Sequence, residues 1–204
     1  MALVDYKQNK IQLKFVYCGA QNAGVTSTLT SIHKDVYGEE PDWHTNNEGA
    51  ASIRDMLSNL FPVRNKTKVR SNPSEFFAIE TGTVQGFEIS VLLYGCSLPE
   101  GAGELSDRMR GADSVIFVAN SEAEMQQQNL EALKTLRKLL EAPDLLRAVQ
   151  LNKRDAKKAL PSTCLKQQLA LPDDVHVVET VASEAEGTVA CFREVLKRTL
   201  NCLT

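Results

Sequence analysis

Apolar and polar positions along this chain alternate between strand-like and helix-like patterns. Ile11 to Cys18, IQLKFVYC, starts as an alternation and ends as a continuous apolar run, which predicts a strand inside a sheet covered on both faces, and the central one. From Val25, the residues Leu29, Ile32 and Val36 recur at helical spacing and give one apolar face on a helix that ends near Gly38. Glu75 to Glu80 and Phe87 to Tyr94 read as the next strands, joined through Thr81 to Gly86. After the Pro/Gly-rich loop Leu98 to Gly103 comes a short helix, Glu104 to Arg110, and then a buried strand, Ser114 to Ala119. Ser121 to Leu140 reads as a long helix, with Ser121 and Glu124 at capping-box spacing. Ala148 to Leu151 and Val175 to Val181 are short strands on either side of a short helix, Leu165 to Leu171. Gly187 to Leu203 closes the chain as a helix with Val189, Phe192, Leu196 and Leu203 inward. Strands alternating with helices after the hairpin predict an α/β fold, a mostly parallel sheet with helices on both faces.

One region breaks the pattern. Glu39 to Asn72 is interrupted by Pro41, Gly49 and Pro62. Within it, Ile53, Met56, Leu57, Leu60 and Phe61 form one face of a short amphipathic helix, which either covers the core or meets a partner. Arg64, Lys66, Lys68 and Arg70 then alternate along an extended segment. They are either a charge-protected edge strand or a local contact for an anion or an acidic partner.

At 204 residues, 43% hydrophobic and 24% charged, the chain is long enough for one well-filled domain and short for two. A formal charge of −3 argues against a general binder of nucleic acid or anionic membranes, so an acidic partner has to be met locally. The five cysteines, Cys18, Cys96, Cys164, Cys191 and Cys202, are scattered, with no CxxC and no Cys/His group at metal spacing, which suits a reduced cytoplasmic protein. The opening MALVDYKQNK lacks a signal-peptide core, no run reaches membrane-spanning length, and Cys202 does not sit in a lipidation box, so no membrane insertion is expected.

The chemistry concentrates in loops that follow strands, where parallel sheets place their ligands. The first is FVYCGAQNAGVTST, Phe15 to Thr28: a strand, Gly19, Gly24 and Thr26 in the frame of a phosphate-binding loop, whose backbone N–H groups and helix N-terminus cradle phosphates. That frame calls for Lys after the second glycine, and here Val25 stands there. The plainer account is a tight strand-to-helix turn with Val25 in the core. The second is Asn152-Lys153-Arg154-Asp155, in which the Asp155 carboxylate can accept from the guanine ring N–H and amine while the Lys153 stem packs beside the base. The third, Ala182-Ser183-Glu184, can offer a backbone N–H to the guanine oxygen. Cys18 and Cys96 lie near the same end, but no His is placeable beside either to activate a thiolate.

Through KFVYCGAQNAGVT, DSVIFVANSEAEMQQQNLEALKTLRKLL, VQLNKRD and VASEAEG, the chain resembles the Ras-like small GTPases, most closely the MglA-type polarity GTPases of gliding bacteria. The resemblance implies one domain over residues 1–204 in a three-layer Ras-like P-loop fold with a six-stranded, mostly parallel sheet. It implies guanine and ribose contacts at Asn152, Lys153, Asp155 and Ser183, and a magnesium ligand at Thr26, a type also ordinary in a first helical turn. The departures fall together. The family's Lys is Val25. The Arg-Thr pair of the first switch, the Arg thought to act as an arginine finger and the Thr as a Mg²⁺ ligand, corresponds to Pro73-Ser74. The second switch, Tyr94 to Gly101 with Pro99 and Glu100, holds no placeable water-orienting Gln. An arginine finger alone is worth about 10³ to 10⁵ in rate.

The resemblance therefore implies a catalytically inactive pseudo-GTPase with an altered first switch at about 39–72, holding GDP or GTP with Mg²⁺ weakly or not at all. Such a chain would act by binding polarity or motility proteins, among them a roadblock-type MglB-like dimer or a related GTPase, and no nucleic acid. The alternative is an active guanine-nucleotide switch in which Lys66, Lys68 or Arg70 replaces the missing Lys.

Overall fold

The computed structural model describes residues 2–39, 76–98, 102–140 and 142–202. Its strands are β1 (Leu3–Asp5), β2 (Lys10–Ala20), β3 (Phe76–Val84), β4 (Phe87–Leu98), β5 (Ser114–Asn120), β6 (Leu146–Asn152) and β7 (His176–Glu179). Its helices are α1 (Val25–Tyr37), α2 (Ala102–Met109), α3 (Gln126–Leu139), α4 (Ser162–Gln168) and α5 (Thr188–Asn201). The sheet runs β3-β4-β2-β5-β6-β7, with β1 added to β2, so the six-strand path becomes seven strands among the described residues. Pairing is parallel from β4 across to β7 and antiparallel at β3–β4 and β1–β2. The exposed, three-residue β1 carries no alternation for a sequence reading to detect.

β2 is central because its neighbours use both of its edges. β4 pairs along it from Lys10 to Ala20, while β1 takes Lys10–Gln12 and β5 takes Phe15–Gly19 of the other edge. Its side chains alternate between two cores. Val16, Cys18 and Ala20 join Ala132, Leu133 and Leu136 of α3. Leu13, Phe15 and Tyr17 join Val25, Leu29 and Ile32 of α1 and Cys191, Phe192 and Val195 of α5. All seven residues of β5 are buried, as a strand covered on both faces requires. Cys18 and Cys96 both lie buried in the first core, Cys18 fully.

Local differences have local causes. Val36 continues the α1 stripe, but the core ends at Ile32, and Val36 is 40% exposed. Gly38, at φ 78, stops the helix with its N–H on the Lys34 carbonyl, 2.9 Å. β3 continues to Val84 through an irregularity at Gly82, leaving Gln85 (φ 50) and Gly86 (φ 84) as the hairpin turn. In α5 the buried positions are Thr188, Cys191, Phe192, Val195 and Thr199; Val189 and Leu196 are half-buried and Leu203 lies outside the described residues. The amphipathic stretch at Ile53 to Phe61 and the cations Arg64, Lys66, Lys68 and Arg70 also lie outside them.

Candidate functional site

The loop between β2 and α1 is shaped by two close approaches. A Cβ on Gly19 would stand 2.2 Å from the Val118 carbonyl oxygen of β5, and one on Gly24, where φ is 98, would stand 2.2 Å from Asn152 Nδ2. Both positions demand glycine, and Gly24 does so twice over. Gln21 N–H donates to the Leu98 oxygen at 3.1 Å and Ala23 N–H to the Ala20 oxygen at 3.0 Å, which folds the loop back on the strand ends. The bond from Thr28 N–H to the Gly24 oxygen, 2.9 Å, opens the α1 ladder, so the amides before it lie at the helix's positive end, where an anion is favoured. Thr26 is exposed there. Val25, one residue earlier, is 3% exposed and packs in the core with Leu29 and Ile32. The loop GAQNAGVT contains neither Lys nor Arg.

Asn152, at the end of β6 and 2% exposed, ties this loop to two others. Its Nδ2 donates to the Ala23 oxygen at 2.8 Å, and its Oδ1 accepts from Ala182 N–H at 2.9 Å and Thr180 Oγ1 at 3.2 Å. Asn152 thus fixes the phosphate-type loop, the β6 loop and the Ala182–Glu184 turn relative to one another. Ser183 is exposed in that turn.

No family model matches the chain. It is 28% identical to the mutual gliding-motility protein MglA of Myxococcus xanthus (strain DK1622), over 91% of this chain and 95% of that one. This similarity supports a Ras-like assignment of the MglA type, and the α/β architecture is consistent with the Ras-like P-loop fold. The strand order, the glycine loop after the central strand and the Asn152 tie sit within that fold.

In this Ras-like chain the Asn-Lys-x-Asp loop is clamped to the segment after β5. Asn120 and Asn152 are register partners at the ends of β5 and β6. Ser121 N–H donates to the Asn152 oxygen at 2.9 Å, and Leu160 N–H to the Ser121 oxygen at 2.9 Å. Lys153, at φ 60, places Nζ 3.7 Å from Glu122 Oε2, which also accepts from Asn120 Nδ2 at 3.1 Å. Lys158 pairs with Glu124. Arg154 bonds the Leu160 oxygen at 2.6 Å and Glu179 at 3.1 Å. The Ser162 hydroxyl, helped by Arg154, holds the Glu179 carboxyl below its ordinary range. Asp155 is exposed, and among the described residues its carboxylate has no hydrogen-bond or ion-pair partner.

The capping box expected at Ser121 and Glu124 does not form. A 3₁₀ turn at Ala123–Met125 precedes α3, the Ser121 backbone is spent on the β6 clamp, and its buried hydroxyl has no partner. Sequence reading passed over Asn120, Glu122 and Asn129. Asn129 accepts from Asn120 N–H at 3.1 Å and donates to the Asn120 oxygen at 2.8 Å. The available signal was an Asn closing an otherwise apolar strand beside the loop strand. The switch positions Pro73, Ser74, Pro99 and Glu100, with residues 40–72, lie outside the described residues.

A guanine nucleotide with magnesium fits this donor set on one side only. Asp155 is exposed and its carboxylate is uncommitted among the described residues, Gly19 and Gly24 let the loop backbone lie against Val118 and Asn152, and Thr26 is exposed in the first turn of α1. The phosphate side has backbone N–H groups and no side-chain cation within the loop.

Proposed function

We propose that this chain is a pseudo-GTPase, an MglA-like protein that acts in gliding-motility or polarity signalling by binding other proteins and not by turning over GTP. Val25 carries the reading. An isopropyl group packed into the core stands where the loop frame calls for an ammonium, and it cannot offset triphosphate charge. Phosphoryl transfer depends on neutralising charge that develops on the transferred oxygens, so a phosphate loop without its Lys, in a sequence with Pro73-Ser74 at the family's Arg-Thr pair and no placeable water-orienting Gln, has little to lower the barrier with. The Gly24–Asn152 contact gives the guanine-loop Asn a structural task that needs no nucleotide. The natural partners are regulators or motility proteins, a roadblock-type MglB-like dimer first, with a related GTPase as the other candidate.

The test is single-turnover hydrolysis of GTP by the purified full chain with Mg²⁺, together with chromatography of whatever denaturation releases. No turnover above the uncatalysed rate is expected. Turnover at rates usual for small GTPases would overturn the reading. A second reading, a nucleotide-dependent switch using Lys66, Lys68 or Arg70 as the missing cation, draws support from the uncommitted Asp155 carboxylate. It requires firm binding of GTP that substitution of those cations abolishes.

A further inference from the structure

At the end of the sheet opposite the glycine loop, where β3 finishes and β4 begins, a groove of about 350 Å³ runs between Val84 and the C-terminal half of α5. Arg193, Leu196, Lys197 and Leu200 line it from α5 at i, i+3, i+4 and i+7, a face distinct from the one that buries Cys191, Phe192 and Val195. Leu196 and Leu200 pack partly against the core, and Val84 across from them is 38% exposed, so the walls are apolar. Among the described residues, two cations and no acidic residue line the groove. Arg193 is engaged by Asp35 of α1 at 3.5 Å, while Lys197 is exposed and has no ion pair among the described residues. On a chain of net charge −3, an apolar slot lined by two cations, of which Arg193 is paired with Asp35 and Lys197 lies near Glu194 of the same helix, is a local exception, and rim charge selects partners by sign.

We propose that this groove docks a short acidic and apolar peptide segment of a partner protein. Apolar side chains enter between Val84 and the Leu196–Leu200 ridge, and a carboxylate faces Lys197. The site uses no residue of the nucleotide side, so it stands or falls apart from the pseudo-GTPase reading.

The experiment is selection of phage-displayed random short peptides on the immobilised full chain, followed by binding of the enriched peptides as free synthetic molecules. Enriched peptides should combine Leu, Ile or Phe with Asp or Glu. Their affinity should fall roughly tenfold with Lys197→Glu and return when the peptide's acidic residue is changed to Lys. Leu200→Glu should abolish binding, with circular dichroism confirming its fold; exposed Lys197 provides the test that does not depend on packing. The absence of enrichment, enrichment without acidic residues, or indifference to Lys197→Glu would overturn the proposal. So would a concentration-dependent dimer lost in Lys197→Glu, which assigns the groove to a second copy, or enrichment only after deletion of residues 203–204, which assigns it to the chain's own end.

Discussion

Asn152 and Gly24 are locked together. The amide nitrogen of Asn152 lies 2.2 Å from where a Cβ on Gly24 would be, and donates to the preceding Ala23 carbonyl at 2.8 Å. Asn152→Ala leaves that carbonyl, the Ala182 N–H and the Thr180 hydroxyl without their partner. With buried unmade hydrogen bonds costing about 1–3 kcal/mol each and partial relaxation, the expected loss is ~2–4 kcal/mol. Urea denaturation without nucleotide reads it, and a loss under ~1 kcal/mol would remove the structural role given to Asn152.

Restoring the cation tests the phosphate side. Val25→Lys removes a buried isopropyl group, at about 1.5 kcal/mol or more of stability, and offers one charge-assisted contact worth about 1.5–3 kcal/mol to a triphosphate. GTP affinity should rise by about 10-fold to 100-fold while GTP hydrolysis stays absent, as isothermal titration and phosphate release would report. Unchanged affinity in a folded variant would mean that the loop no longer receives phosphates.

Base selection should reside in Asp155. If guanine nucleotides bind, Asp155→Ala removes the acceptor for the ring N–H and amine, and the preference for GDP over ADP should fall by about 10-fold to 100-fold, at 1.5–3 kcal/mol for hydrogen bonds to a charged group. Competition between the two nucleotides measures it. A preference that survives the substitution would place base reading elsewhere.

Lys14 on β2 gives a pH signature. Burial, partly opposed by Asp113, lowers its ammonium to about 8, and Nζ donates to the Arg110 oxygen at 2.9 Å beside the Tyr94 ring. Between about pH 8 and its ordinary 10.5 the unfolded state binds a proton that the folded state does not, so this group's contribution to stability rises with pH across that window and is flat below it. Cys191, raised by burial from 9.0 to about 11, acts in the opposite sense: the unfolded thiol ionises first, and stability is lost as pH rises between those values. The Lys14 contribution is therefore the difference between wild type and Lys14→Met, expected to grow by up to ~3 kcal/mol from pH 8 to 10.5. Parallel stability curves for the two proteins would show that Lys14 titrates normally.

The sequence by itself determined the covered strand at the centre of the sheet, the glycine frame after it, the order of strands and helices, and the lack of a Lys or Arg in GAQNAGVT. Each is a property of neighbouring residues, and a period of two or about four is visible without knowing what lies opposite. Only the tertiary structure decided which way Val25 points, that the Ser121 backbone serves β6 and not a helix cap, and that Asn152 braces a loop 129 residues away. It also decided that β1 joins the sheet and that Leu196 and Leu200 line a groove. The reason is physical: a side chain's periodicity is set locally, whereas its burial and hydrogen-bond partners are set by whichever distant segment the fold brings against it.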